Sequence, residues 1–597
     1  MNKILIIGGA SQDILHINDK LLKTTGGAGL YTALGAKAAG AEVDMFAPLP
    51  KPIPKLMQPI TKHINWIGPS VAQEEIPHFE IMYDKQCVAT YTTVEPRAEA
   101  KLSPNDLPKD LSKYSYVHIV QLGNIDLQIR MVLKCRQNNA KQISVSGGHK
   151  LNHNEIKKLK TLIDDADLCF MNEHEASQNL GMLDNIKLKP NKILFVTHGR
   201  NGISILQNSK IQKVDILPLS SVDPTGAGDS FCGALLSYLA KLQHPILAAK
   251  NASKIASITI SHEGTKGLMS SQSKSNNLNP KSTSINIDLL HKIAKTLSDN
   301  KIGQTPYTFT GTHHPNIGNP HTLNFFFALT LQQFGFWYSN KTNYTKPMIA
   351  KIDNQLLKGS DFVQYAYYRT LNNDPDFFTV DRQANLSIDE LRHTFSDDNG
   401  DCPMPNIESH LSEAQTYGKD MLTLKKEPID IIKQVSKSQT PLSDFLRILW
   451  HIGGYNSDPF QKKASLLTYI LINRPEKFIK VSPEDKELPC IDYHLMRSAL
   501  RTGMVRINDI NLSQKIINRG FVDHEEEHNI RYSVYKSIQI LASLSNCLDM
   551  VSIDQFFFQM RNTCPEMTAP KCDNCLLDPI CMKEKNLFQP VIRSTHY

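Results

Sequence analysis

Residues 221–231 read SVDPTGAGDSF and run into an apolar stretch, Cys232–Leu242. Gly226 and Gly228 let backbone N–H groups come close to a ligand. With Ala227 at a helix N-terminus they make an anion hole suited to phosphate. Asp229 stands beside that hole, where a carboxylate can take a proton from an attacking hydroxyl while the N–H groups steady a transferring phosphoryl group. A Gly-rich turn with a capping Asp is the plain alternative, and the length of the D-P-T-G-A-G-D-S-F string weighs against it. Near the other end, Cys564, Cys572, Cys575 and Cys581 form C-x7-C-x2-C-x5-C. Four thiols so close can hold a tetrahedral zinc or a [4Fe–4S] cluster. Asp492, within Leu488-Pro489-Cys490-Ile491-Asp492-Tyr493-His494, opens a predicted helix. There it either faces a ligand or simply meets the helix dipole.

Residues 1–268 carry five motifs in order: Gly8…Asp13, Gly26-Gly27-Ala28-Gly29, Asn172-Glu173-His174-Glu175, Thr197-His198-Gly199-Arg200-Asn201-Gly202, and Asp223–Asp229. The series resembles the PfkB family of ribokinase-like sugar and nucleoside kinases. The resemblance implies ATP and Mg²⁺ as cofactors and Asp229 as catalytic base. It places Asp13, Gly26 and Gly27 against the substrate. Asn172 and Glu175 fall at the Mg²⁺ and phosphate motif, and Thr197, Gly199, Gly202 and Asp223 at the nucleotide side. Tyr31 occupies a position where the family usually has Asn, so the sugar stays open. Phe79–Tyr83 and Val88–Val94, flanking Asp84-Lys85-Gln86, look like a hairpin and resemble the family's lid; a homodimer through it is the oligomeric expectation.

The C-terminal cysteine spacing nearly reproduces the tail of helix-hairpin-helix DNA glycosylases that carry an iron–sulfur cluster, with one residue added in the first gap. A closer resemblance, over roughly 320–545, is to the queuosine-salvage N-glycosylase family, which acts on a nucleoside 5′-monophosphate. It rests on Thr322–Phe327 with Phe336-Trp337, on Gly359–Phe362, Glu390–Phe395 and Asp458–Ala464, on Ile491-Asp492-Tyr493-His494-Leu495, and on Glu527…Ile530-Arg531. It implies Asp492 as the catalytic carboxylate, with Phe325, Trp337, Asp361, Glu527 and Arg531 as substrate residues. Phe325, Phe327 and Trp337 read equally as helix core or as a stacking box for a flat base.

The elements that must hold these residues differ between the halves. Lys3–Ile7, Tyr116–Gln121, Gln142–Ser146, Leu168–Met171 and Ile193–Thr197 read as buried strands alternating with helical stretches, which predicts a parallel sheet covered by helices. Later, residues 352–357, 442–450, 460–472, 493–501 and 530–544 carry helical spacing, so this half is expected to be mainly α, and the resemblance to the glycosylase families implies a DNA-glycosylase-like fold for it. Between them, residues 270–286 hold six Ser and four Asn in seventeen positions and bury little. The expected organisation is a kinase domain at 1–268, a flexible linker at 269–300, a helical domain at 301–562 and a cluster loop with tail at 563–597.

Lys and Arg number 66 and Asp and Glu 59, a net +7 spread over 597 residues. This weak charge leaves nucleic acid open without favouring it. No apolar run approaches the roughly 20 residues of a membrane helix, nothing at the start reads as a secretory signal, and the cysteine usage suits a reducing cytoplasm. The combined expectation is a bifunctional salvage enzyme: a nucleoside such as queuosine is phosphorylated at its 5′-hydroxyl, then its base is released. The alternatives are a sugar kinase fused to a DNA-repair-type glycosylase, and a nucleic-acid-binding module governed by a kinase-like sensor.

Overall fold

The computed structural model describes residues 2–17, 20–83, 89–148, 151–208, 210–216, 222–270, 282–302, 307–544 and 548–597. The chain divides into two compact units, Met1–Leu278 and Asn279–Tyr597. Among the described residues no helix is long and apolar enough to cross a membrane.

The first unit is built on a nine-stranded sheet. In spatial order its strands are Lys210–Val214, Ile203–Gln207, Ile193–Thr197, Leu168–Asn172, Ile143–Ser146, Tyr116–Ile119, Lys3–Ile7, Glu42–Phe46 and Asn65–Ile67. The run from Ile193–Thr197 to Asn65–Ile67 is parallel, and the two strands at the other edge are antiparallel. Ile4 to Ile7 are all fully buried, as expected of a parallel strand covered on both faces. A second sheet of four strands, in the order Lys20–Gly26, Ser11–Ile17, His78–Tyr83, Ala89–Glu95, contains the expected hairpin. The hairpin's turn, with Asp84, Lys85, Gln86 and Val88, lies outside the described residues, as does Ser221. Asp13 does not continue the opening strand. It lies in this second sheet, paired with Thr24 and Phe79.

Two helices, Ala28–Ala38 and Ala227–Ala240, meet backbone to backbone. A Cβ on Gly233 would fall 1.8 Å from the Thr32 carbonyl oxygen, and one on Gly35 would fall 2.3 Å from that of Ser230. This close approach fixes the helix that follows the Gly226 turn against the helix Ala28–Ala38.

The second unit is mainly helical, with two-stranded ribbons at its margins. Helices at Pro441–Leu449, Lys462–Asn473, Tyr493–Thr502 and His524–Ser543 match the helical spacing in the sequence. Residues 352–357 do not form a helix. Ile349–Ile352 and Gln355–Lys358 make a hairpin about Asp353 and Asn354, both with positive φ. Part of the stretch expected as linker, 269–300, is also structured. Thr283–Ile285 pairs antiparallel with Val505–Ile507, and Ile287–Asp299 is a helix that buries Leu290, Ile293 and Leu297. Backbone pairing with a distant strand gives order that local composition does not signal. Residues 271–281 lie outside those described.

Gly233→Ala is expected to destabilise the first unit by about 2 kcal/mol or more, the range of overpacking in a tight core. Thermal melting followed by circular dichroism checks it; an unchanged melting temperature would contradict the backbone contact.

Candidate functional site

Each unit has a cavity in which candidate site residues come together. In the first unit a cavity of about 750 Å³ gathers Asp13, Gly27, Tyr31, Asn172, Glu175, Thr197, Gly226, Ala227, Gly228 and Asp229. Gly26, Gly199, Gly202 and Asp223 are not on its wall. Gly26 has a different task, because a Cβ there would fall 1.7 Å from Asp13 Oδ2. Asp223 is a bracket: its two carboxylate oxygens accept the N–H groups of Thr225 at 2.9 Å and Gly264 at 2.7 Å. That holds the loop so that Gly226, with φ of 72°, opens the helix Ala227–Ala240. A side chain at Gly226 would run into the Tyr31 ring at 2.2 Å, so Tyr31 forms a floor under the anion hole.

The N-x-x-E motif has a local physical role. Asn172 Oδ1 accepts the Glu175 N–H at 2.8 Å and Glu175 Oε2 accepts the Asn172 N–H at 3.0 Å, a reciprocal cap on the helix Glu173–Leu180. Both residues still line the cavity. Burial pushes Asp229 up to about 7. Glu175 is also pushed up to about 7, by burial against the backbone N–H of Asn172 and with help from Asp229. Asp13, 3% exposed, goes up to about 7 by burial, and its Oδ1 has no hydrogen-bond partner among the described residues. A carboxyl in that state is ready for a ligand hydroxyl. Glu99 is an addition that no motif signals: it lines the cavity, accepts the N–H of Gly9 and is pushed up to about 7 by burial.

The second unit has a tighter cavity of about 190 Å³, whose wall includes Asp361, Asp492, Asp554, Lys462, Phe326 and Phe336. Asp492 caps the helix Tyr493–Thr502: its Oδ1 accepts the N–H groups of His494 at 2.8 Å and Leu495 at 3.0 Å. Asp361 pairs with Arg561 at 3.2 Å. His494 is held neutral, far below its ordinary value, by burial and by the nearby Arg497; its Nδ1 accepts from Arg497 Nη2 at 3.1 Å.

The remaining expected residues of this half stand outside the cavity wall. Phe325 is fully buried and packs edge-on against Phe326 and Phe378. Trp337 stacks on Tyr344 with centroids 5.5 Å apart. Adjacent Phe326 and Phe336 supply the aromatic wall instead, a one-residue shift in each case. Arg531, fully buried, makes a two-pronged pair with Asp458 at 2.8 Å on each oxygen and donates to the Ile491 carbonyl. Glu527 lies 3.9 Å from Arg531. The Glu527–Arg531 segment thus holds up the residue before Asp492.

Cys564, Cys572, Cys575 and Cys581 are half-buried and free of disulfides. They are close enough that Cys564 and Cys572 help to raise the thiol pKa values of Cys575 and Cys581, after burial. Arg501 Nη1 donates to Cys564 Sγ at 3.4 Å, and the Lys583 N–H to Cys581 Sγ at 3.3 Å. The donor set suits a metal. Among the described residues, however, no three or more His, Cys, Asp and Glu side chains are arranged to hold a metal ion.

Residues 100–272 match the family described as pfkB family carbohydrate kinase. The chain is 23% identical over 250 residues to a cytidine kinase of Thermococcus kodakarensis, an alignment covering 40% of this chain and 88% of that protein. It is 31% identical over 133 residues to a nucleoside kinase of Methanothermobacter thermautotrophicus and 36% over 110 residues to the ribokinase of Bacillus subtilis. Those two alignments cover 21% and 18% of this chain but only 42% and 37% of the relatives. An adenosine kinase structure from Sinorhizobium meliloti aligns with 46% of this chain and 99% of its own, at 15% identity and a TM-score of 0.40. The N-terminal part of the chain is a PfkB-type, ribokinase-like kinase domain.

Proposed function

We propose that the chain is a two-step nucleoside salvage enzyme. The first unit transfers phosphate from ATP to the 5′-hydroxyl of a nucleoside, and the second hydrolyses the N-glycosidic bond of the resulting 5′-monophosphate. Queuosine is the proposed nucleoside and queuine the released base. The observation that carries the second step is the small cavity in which Asp361, Asp492 and an aromatic wall come together.

In the first step Asp13 grips the sugar hydroxyls. Asp229 takes the proton of the 5′-hydroxyl, and the N–H groups at Gly226, Ala227 and Gly228 stabilise charge on the transferring group. ATP with Mg²⁺ supplies the phosphoryl group, and Glu175 with Asn172 would sit on the metal and phosphate side. The kinase relatives named for cytidine and nucleosides support a nucleoside substrate.

In the second step a carboxylate fixed at the helix start stabilises positive charge that develops on the ribose as the base leaves. Phe326 and Phe336 flank the base. The phosphate made by the first unit anchors the ribose, so binding energy remote from the bond is used in the transition state. Covalent linkage of the two units raises the effective concentration of the intermediate. The four-cysteine loop is proposed to hold a [4Fe–4S] cluster with a structural role; zinc is the alternative.

Asp229→Asn is expected to cut phosphorylation roughly 10²–10⁴-fold while nucleoside binding stays near normal. Because the base must be ionised and burial raises it to about 7, the wild-type rate should fall as pH drops below about 7. A loss under about tenfold, or a rate flat from pH 8 to 5.5, would remove Asp229 from the role.

With Mg·ATP and queuosine, Asp492→Asn should accumulate the nucleoside 5′-monophosphate and release no base, as read by chromatography. Base release at the wild-type rate would refute the assignment, and excision of bases from duplex DNA by the wild type would favour the repair alternative.

Protein purified anaerobically should contain iron and sulfide and absorb broadly near 400 nm, and Cys572→Ser should lose that absorbance. One stoichiometric zinc in a colourless protein would select the other metal.

A further inference from the structure

The small cavity of the second unit holds a carboxyl group that no sequence motif signals. Asp554 projects from the helix Met550–Gln559, a different element from the one that Asp492 caps, and both line the same cavity. Asp554 is 7% exposed and Asp492 is 9% exposed. Titratable groups from several elements bear on this carboxyl pair. Asp492 and Lys462 act on Asp554, and Cys490 and Tyr469 respond to it in turn. Phe558, one turn further along the same helix, also lines the cavity.

The two carboxyls in this cavity stand in different surroundings. Asp492 accepts two backbone N–H groups at a helix N-terminus, where negative charge is favoured. Burial, and the neighbouring Asp492 after it, push Asp554 well above the ordinary carboxylate range. Pairs of carboxyls whose surroundings differ in this way divide the acid and the charge-stabilising roles of glycoside cleavage between them.

We propose that Asp554 is the acid that protonates the departing base, while Asp492 stabilises the ribosyl cation. This rests on the glycosylase reading of the second unit. In the step, the C1′–N bond breaks and its electron pair leaves with the base. The Asp554 O–H bond breaks and its proton forms an N–H bond on the base. A water oxygen bonds to C1′, and the proton released from that water restores the Asp554 carboxyl. The products are the free base and ribose 5-phosphate, with no change in oxidation state. Lys462, whose Nζ donates to the Gln333 carbonyl at 2.8 Å, is held by that contact on the same wall.

The test compares two leaving groups in the full-length protein. Queuosine 5′-monophosphate needs a proton on its base, whereas 4-nitrophenyl β-ribofuranoside 5-phosphate releases a stable anion and needs none. Asp554→Asn is expected to lower kcat on the nucleotide roughly 10²–10⁴-fold and on the nitrophenyl substrate by less than about fivefold, while Asp492→Asn lowers both. Asp554→Ala, read in the same way, serves if the Asn variant does not fold. Equal losses on the two substrates, or no loss on the nucleotide, overturn the acid role and leave the glycosylase reading standing. If the wild type cleaves neither substrate, the glycosylase reading itself falls, and the acid role with it.

Discussion

Arg531 and Asp458 form a fully buried, doubly hydrogen-bonded ion pair in the second unit, and both partners reach beyond it. Arg531 donates from Nε and Nη2 to the carbonyl of Ile491, immediately before Asp492. Asp458 accepts the N–H of Lys462 at 2.7 Å, where the helix Lys462–Asn473 begins. One guanidinium and one carboxylate therefore set the position of two cavity residues on two helices. Buried charges removed singly cost about 3–5 kcal/mol. Such a pair is kept less for stability than for geometry: its planar fork admits one arrangement.

The kinase unit reaches the same end by different means. Its two site-bearing helices touch through glycines, and the loop ahead of Asp229 is tied by the Asp223 bracket. Asp13, Glu99, Glu175 and Asp229 are all buried enough to be raised to about 7. A domain that keeps four such carboxyls around one cavity gives up stability to do so. Their desolvation is offset only when a cation, a hydroxyl or a proton joins them.

Much of the kinase fold was legible because parallel strands are continuous apolar runs and phosphate loops need glycine. Lys3–Ile7 and Ile193–Thr197 are strands to the residue. The edge strand Lys210–Val214 escaped notice because it is half-exposed and mixes Lys and Gln with Ile and Val. In the second unit, Asp492 was legible from its place after Leu488-Pro489 at a helix start. Phe325 and Trp337 were not separable from Phe326 and Phe336, because a hydrophobic run does not say which neighbour faces a cavity and which faces the core. Asp554 carries no local signal at all. It lies in an ordinary amphipathic helix, and only the packing of that helix against Tyr493–Thr502 brings its carboxyl to Asp492. Arg531 and Asp458 are 73 residues apart, a spacing that no pattern in the sequence marks.

The helix Tyr493–Thr502 is gripped at both ends. Asp492 opens it at the cavity, and Arg501 in its last turn donates to Cys564 Sγ and to the carbonyls of Pro565 and Leu587. Ten residues make a rod about 15 Å long. A rod pinned at two ends transmits displacement rather than absorbing it. Any loosening of residues 564–587 therefore arrives at the cavity of the second unit as a shift of the whole lever, with the helix itself still wound. Wear at the sulfur-rich end and blunting of the carboxylate end are then one mechanical event, felt 15 Å apart.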